Sequence, residues 1–268
     1  LAALESKYMK NNLMLFIITA FVPFMLFAEA RNAVKTSQDV VSGFHGFMWQ
    51  DGARSLPYRL FIPAKLEAGH KYPLVVFFHG MGSIGNDNKK QLWLAMNFTK
   101  PEIQQSNPCF VLAPQCPETG RWVASFETDK MSAEPTPELA AAIRIIDQTI
   151  KDYPVDTKRV YVTGTSMGGY ATWDIISRKP DFFAAAVPVC GGGDVSSAVR
   201  ISSTPVWAFH GRLDPTVKVE RSRAMIEAVK QAGGSPVYTE YPEVKHNAWD
   251  YSYKDKALYE WMFKQIKK

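Results

Sequence analysis

The sequence predicts an α/β fold with a mostly parallel central sheet and helices on both of its faces. Three observations carry this expectation. Beyond residue 30, short apolar runs alternate with longer stretches of helical periodicity. Some of the runs, YPLVVFF at 72–78 above all, are apolar without alternation, as strands covered on both faces are. No Pro/Gly/Ser-rich linker, internal repeat or low-complexity tract divides the chain, so residues 31–268 are expected to form a single domain.

The elements follow in order. Runs at 43–50 and 56–63 flank Asp51-Gly52, the turn signal of an antiparallel hairpin. Residues 72–78 and 109–113 read as buried strands. Leu139, Ile143, Ile146 and Ile150 recur at helical spacing over 137–152, and Pro135 and Pro137 suit the start of that helix. RVYVT at 159–163 is a strand running into Gly164 and then a helix over 167–178. Strands are expected at 184–189, 205–209 and 237–241. The last helices lie over 219–231, closed by Gly233-Gly234, and over 256–267.

A composition of 46% hydrophobic and 21% charged residues excludes disordered and fibrous chains. A net charge of +5 raises nucleic-acid binding, but the basic residues are scattered, with only doublets such as Lys89-Lys90 and Lys267-Lys268. A solvated surface is the better reading, and no nucleic-acid partner is expected. Residues 1–30 are expected to be upstream sequence (Leu1 to Tyr8) plus a secretory signal. Met9-Lys10-Asn11-Asn12 is its basic start, 13–27 its apolar run and Ala28-Glu29-Ala30 its small-x-small end. With cleavage near Ala30 the protein is expected to be secreted or periplasmic. The apolar run falls short of the roughly 20 residues of a membrane span. No stable membrane insertion is therefore expected after cleavage, and an uncleaved anchor is the alternative. Cys109 and Cys116 bracket a strand, which sets them roughly 20 Å apart at about 3.3 Å per residue, whereas a bridge needs Cα atoms within about 7 Å. All three cysteines are expected to be free thiols, and no Cys/His spacing suggests a metal site.

The chemistry concentrates in three places. Gly164-Thr165-Ser166-Met167-Gly168 fits G-x-S-x-G, follows a strand and opens a helix. A serine there sits on a strained turn, small neighbours let strand and helix approach, and the helix N-terminus faces developing negative charge. Ser166 is the expected nucleophile. A serine needs a base, and the base an orienting acid. Asp214 in FHGRLDPTV and His246 in EVKHNAW follow successive strands and are the expected acid and base. Asp250 is a rival acid, but it lies beyond the base. His210 ends a strand and reads as structural. Phe78-His79-Gly80-Met81-Gly82 follows the YPLVVFF strand, so backbone N–H groups of Gly80, Met81 and Met167 are expected to form an oxyanion hole.

These stretches resemble the α/β-hydrolase superfamily, specifically its phospholipase/carboxylesterase-like, predicted-peptidase branch with feruloyl and acetyl esterase relatives. FFHGMGSIGNDN (77–88), FVLAPQCP (110–117), RVYVTGTSMGGYATWD (159–174), PVWAFHGRLDPTV (205–217) and YPEVKHNAW (241–249) carry the resemblance. It implies an α/β-hydrolase catalytic domain over 31–268 and ester hydrolysis through an acyl-enzyme, with no metal or organic cofactor. One departure is Ser83-Ile84, where relatives often carry a Glu-Arg pair.

Only 14 residues, 191–204, separate the strand ending at Cys190 from the next, which leaves no room for a lid domain. An open cleft suits a bulky or polymer-linked ester. Trp122 and Trp249 fall in loops at the carboxyl edge and are expected to bind substrate by stacking, with plain packing as the alternative. The expected function is therefore a secreted serine carboxylesterase acting on small or polysaccharide-linked esters of the plant cell wall, feruloyl or acetyl. The alternatives are a secreted serine peptidase of prolyl-oligopeptidase-like type and a catalytically silent binding protein of the same fold.

Overall fold

The computed structural model describes residues 35–267 apart from 125, 127 and 129. The secretory-signal expectation for residues 1–30 lies outside the described residues. Two strands, β1 (Val40–Val41) and β2 (Phe44–Asp51), precede β3 (Arg54–Phe61), and β2 and β3 form the expected hairpin. Its turn is Gly52-Ala53, with Asp51 paired to Arg54, because Gly52 supplies the positive φ (+59°) that the tight turn requires. β4 (Tyr72–Phe78) is buried along its whole length.

Between β4 and the next strand lie helical turns too short for a periodicity argument to find. They are α1 (Leu92–Ala95), α2 (Pro101–Ser106) and two 3₁₀ turns, Met81–Ser83 and Met96–Thr99. β5 (Phe110–Pro114) and α3 (Pro137–Asp152) match the sequence reading closely. α3 starts where Pro137 fits the first turn and where Thr136 Oγ1 accepts from the Leu139 N–H at 3.2 Å. Its Leu139, Ile145 and Ile146 are buried against the sheet, each contributing about 1.5–3 kcal/mol.

β6 (Val155–Thr165) begins four residues earlier than its apolar run, since Val155 also pairs with Tyr72 across a register shift. α4 (Met167–Arg178), β7 (Ala185–Val189), α5 (Ala198–Ile201) and β8 (Trp207–Gly211) follow. α6 (Glu220–Gln231), β9 (Val237–Tyr241), α7 (Trp249–Ser252) and α8 (Lys256–Lys264) come last among the described residues. The β7–β8 connection holds one 3₁₀ turn, Val195–Ser197, and the single-turn α5, with no lid inserted there.

Among the described residues nine strands form one sheet in the order β1-β2-β3-β5-β4-β6-β7-β8-β9. The first three are antiparallel neighbours, and from β5 to β9 all pairs are parallel. Alternate strand residues feed two cores. Leu74, Val76 and Phe78 pack with α3, α4 and α6, whereas Val75 and Phe77 pack with α1, α8 and Tyr253. Helices thus cover both faces. The pairing of Phe78 with Gly164 places the loop after β4 beside the turn after β6, which decides where the site forms. Cys109, Cys116 and Cys190 are buried and unbridged. Among the described residues no helix is long and apolar enough to cross a membrane.

Candidate active site

Ser166 sits between β6 and α4 at φ +54°, ψ −116°, a conformation that costs a non-glycine residue about 1–3 kcal/mol. Packing on either side enforces it. A Cβ at Gly164 would lie 2.6 Å from the Phe78 carbonyl oxygen, and one at Gly168 would collide with the same atom. Two glycines therefore let β4, β6 and α4 meet closely enough to hold the turn. Ser166 N–H donates to Val189 O at 2.9 Å, which ties the turn to β7 as well.

His246 Nε2 lies 2.9 Å from Ser166 Oγ, and His246 Nδ1 lies 2.7 Å from Asp214 Oδ2. The carboxylate only accepts, so Nδ1 carries the hydrogen and Nε2 presents its lone pair to the serine hydroxyl. The structure thus brings Ser166, His246 and Asp214 into one line from three loops at the carboxyl edge of the sheet. Asp214 Oδ1 accepts from the Thr216 and Val217 N–H groups at 2.8 and 2.9 Å. Burial alone would push the Asp214 carboxyl up. Hydrogen bonds from His210, His246, Val217 and Thr216 outweigh it and hold the group well below the usual carboxylate range. Asp250 is engaged elsewhere, its Oδ2 accepting from Asn247 Nδ2 at 3.0 Å on the surface.

The expected oxyanion donors lie on two elements. Met167 opens α4, where first-turn amides lack intrahelical partners. Gly80 O accepts from His79 Nδ1 at 2.7 Å and from the Ser83 N–H at 3.1 Å. Across a planar trans peptide the Met81 N–H then points the opposite way from that carbonyl. Gly80, Met81 and Ser166 all line one cavity. His79 itself is buried, and its Nε2 accepts from the Cys116 N–H at 2.9 Å. Burial pushes its imidazole down to about 4, partly opposed by the Gly80 carbonyl. The loop around Ser83-Ile84 is held by Gln115. That side chain's Nε2 donates to Ser83 O at 3.2 Å and Asp87 Oδ1 at 2.8 Å, while its Oε1 accepts from Asn88 N–H at 2.6 Å.

The cavity measures about 360 Å³ and is walled by Phe77, Met81, Trp93, Leu94, Trp249 and His246. Trp249 stands edge-on to the His246 ring at 5.1 Å. Trp122 does not belong to this rim, a correction to the sequence reading. It is fully buried, its Nε1–H donates to His79 O at 3.1 Å, and its ring packs edge-on against Phe78 at 5.1 Å. An indole that finds both a carbonyl and an apolar wall beneath the loop after β4 is more stable there than at the surface. Sequence reasoning missed Trp93, which is 60% exposed at the cavity mouth. It also missed Gln91, a buried residue of the same wall whose Oε1 has no partner among the described residues. Their only sequence signal is a short apolar run, QLWLAM, without enough length to show a period.

Residues 118–258 match the dienelactone hydrolase family. Over 124 residues the chain is 32% identical to a bifunctional acetylxylan esterase/xylanase of Neocallimastix patriciarum, covering 43% of this chain and 18% of that protein. A probable carboxylesterase of Oryza sativa subsp. japonica is 25% identical over 204 residues, covering 69% of this chain and 75% of that one. The crystal structure of a thermostable esterase superposes with a TM-score of 0.79 at 40% identity, covering 85% of this chain and 64% of the other.

Proposed function

The chain belongs to the dienelactone hydrolase family of the α/β-hydrolase superfamily, and from that premise we propose that it is an exported serine carboxylesterase acting on plant cell-wall esters. The observation that carries the activity is the aligned Ser166–His246–Asp214 relay at the floor of an open cavity. Ser166 Oγ attacks the ester carbonyl as His246 Nε2 takes its proton. The oxyanion is received by the N–H groups of Met167 and of Gly80 or Met81, each such donor being worth about 2.7–4 kcal/mol. His246 then protonates the departing alcohol, and a water molecule activated by the same nitrogen releases the acid.

Two features support the choice of substrate. Trp93 and Trp249 flank the cavity and give a flat acyl group or a sugar face something to lie against, with no lid inserted between β7 and β8. The stretch similar to an acetylxylan esterase/xylanase favours an acyl group on polysaccharide. Both feruloyl and acetyl esters fit this reading. Export is supported by the leader-like pattern of residues 9–30. The test is kcat/KM across acetate, octanoate, palmitate and ferulate esters, with a peptide amide alongside. Short and aromatic esters are expected to win, with no jump in rate at the solubility limit. A preference for palmitate with interfacial activation, or for the amide, overturns the assignment. Intact mass of the protein secreted by its host is expected to begin after Ala30, and retention of the leader would contradict export by cleavage.

A further inference from the structure

His210 is the penultimate residue of β8, four residues before Asp214, and is fully buried. Its Nε2 lies 2.9 Å from the Val217 carbonyl oxygen and 3.2 Å from Asp214 Oδ2. Both atoms only accept, so Nε2 carries a hydrogen, which bonds the Val217 carbonyl and makes its longer second contact with the carboxylate. Its Nδ1 lone pair accepts from the Ser222 hydroxyl of α6 at 2.7 Å, and that oxygen also lies 2.9 Å from Gly191 O. The imidazole is thus fixed through both nitrogens. Asp214 Oδ2 consequently faces two histidines, His246 from the cleft at 2.7 Å and His210 from the core at 3.2 Å.

We propose that His210 is a positioning residue of the relay, a second donor on the oxygen that holds His246, setting both the orientation of the carboxylate and its pull on the base. This rests on the reading of Ser166, His246 and Asp214 as a working triad. Two donors on one oxygen divide its charge between them. Remove the inner donor and more negative charge faces His246, which favours its protonated form and leaves less of the free base at low pH. The acid limb of kcat/KM must then move to higher pH. The other groups facing Asp214 do not produce such a shift. The Cys190 thiol after β7 and the Tyr170 phenol of α4 are each pushed up to about 12, by burial and then by the Asp214 charge, so both stay neutral across the profile. The charged guanidinium facing this cluster is that of Arg221 on α6, 5.9 Å over the Tyr170 ring.

The test compares His210→Leu, which has no donor, with His210→Gln, which keeps an N–H near the position of Nε2, and with Ser222→Ala, which frees Nδ1. In folded His210→Leu, kcat for p-nitrophenyl acetate is expected to fall about tenfold or more. KM should change less than about twofold, because His210 touches no substrate. The acid limb should rise by about half a pH unit or more. His210→Gln should recover most of both effects, and Ser222→Ala should move the limb the same way by less. Parental kcat with an unmoved limb in His210→Leu overturns the proposal. So does a His210→Gln protein as impaired as His210→Leu, since the residue would then matter only as packing volume. If His210→Leu does not fold, an unmoved limb in Ser222→Ala overturns it. Turnover retained by Ser166→Ala would defeat the triad reading instead, a separate outcome.

Discussion

Lowering the pH from 7 to 4 should destabilise this protein through His79 in particular. The ring is buried neutral, and its Nε2 lone pair is occupied by the Cys116 N–H at 2.9 Å. Protonation there replaces an acceptor with a donor pointed at another donor. The imidazole is accordingly pushed from 6.5 down to about 4, by burial first. Below pH 6.5 the unfolded chain takes up a proton that the folded protein refuses, so stability is full above 6.5 and falls as the pH drops toward 4. At about 1.36 kcal/mol per unit, the loss reaches about 3 kcal/mol at pH 4. The depressed Asp214 carboxyl contributes stability that is present above its ordinary 3.8 and lost only as the pH falls below it, outside this window. Urea unfolding of the parent and of His79→Gln at pH 7, 5.5 and 4.5 measures the term, because subtracting the two profiles removes all other titrating groups. The parent should lose about 2–3 kcal/mol more than the variant between pH 7 and 4.5. Parallel profiles would refute the reasoning. The same protonation breaks the ring's contact with the Cys116 N–H beneath the loop after β4, so activity should fade in the same range.

Two further predictions concern the site. Asp214→Asn should fold and lose about 10⁴-fold in kcat, as removal of the orienting charge does in serine hydrolases, whereas Asp250→Asn should change kcat by less than about twofold, both read in steady-state assays. Trp122→Ala should cost about 3–5 kcal/mol in urea unfolding and depress all esters alike, because it supports the oxyanion loop from below. Trp93→Ala should barely alter stability but weaken methyl ferulate more than p-nitrophenyl acetate, which paired kcat/KM values check.

Much of this arrangement was legible in the sequence because strong local signals coincide with the architecture. Continuous apolar runs mark the parallel strands, and Pro135, Pro137 and the 3.6-residue period mark α3 almost to the residue. Ser166, Asp214 and His246 each follow a strand, so a parallel sheet delivers them to one edge whatever the intervening helices do. The segment between β4 and β5 was not legible. Its turns of three to six residues are set by tertiary contacts of Leu92, Phe98 and Gln104 rather than by any period. For the same reason Trp93 went unnoticed. Trp122 was misplaced because a loop position says which edge a side chain is near but not whether it turns inward. That choice was made by the His79 carbonyl, 43 positions away in sequence. His210 read as a strand-end core residue, and only the fold reveals that its Nε2 meets the carboxylate holding His246.

The central claim is that Ser166, activated by His246 and Asp214, carries the acyl group. Intact mass spectrometry of protein quenched within the burst of a p-nitrophenyl ester tests this most directly. The account predicts a gain of one acyl group per chain, mapped to the peptide containing Ser166 and absent from folded Ser166→Ala. An acyl group on another residue, or parental turnover by Ser166→Ala, would contradict it.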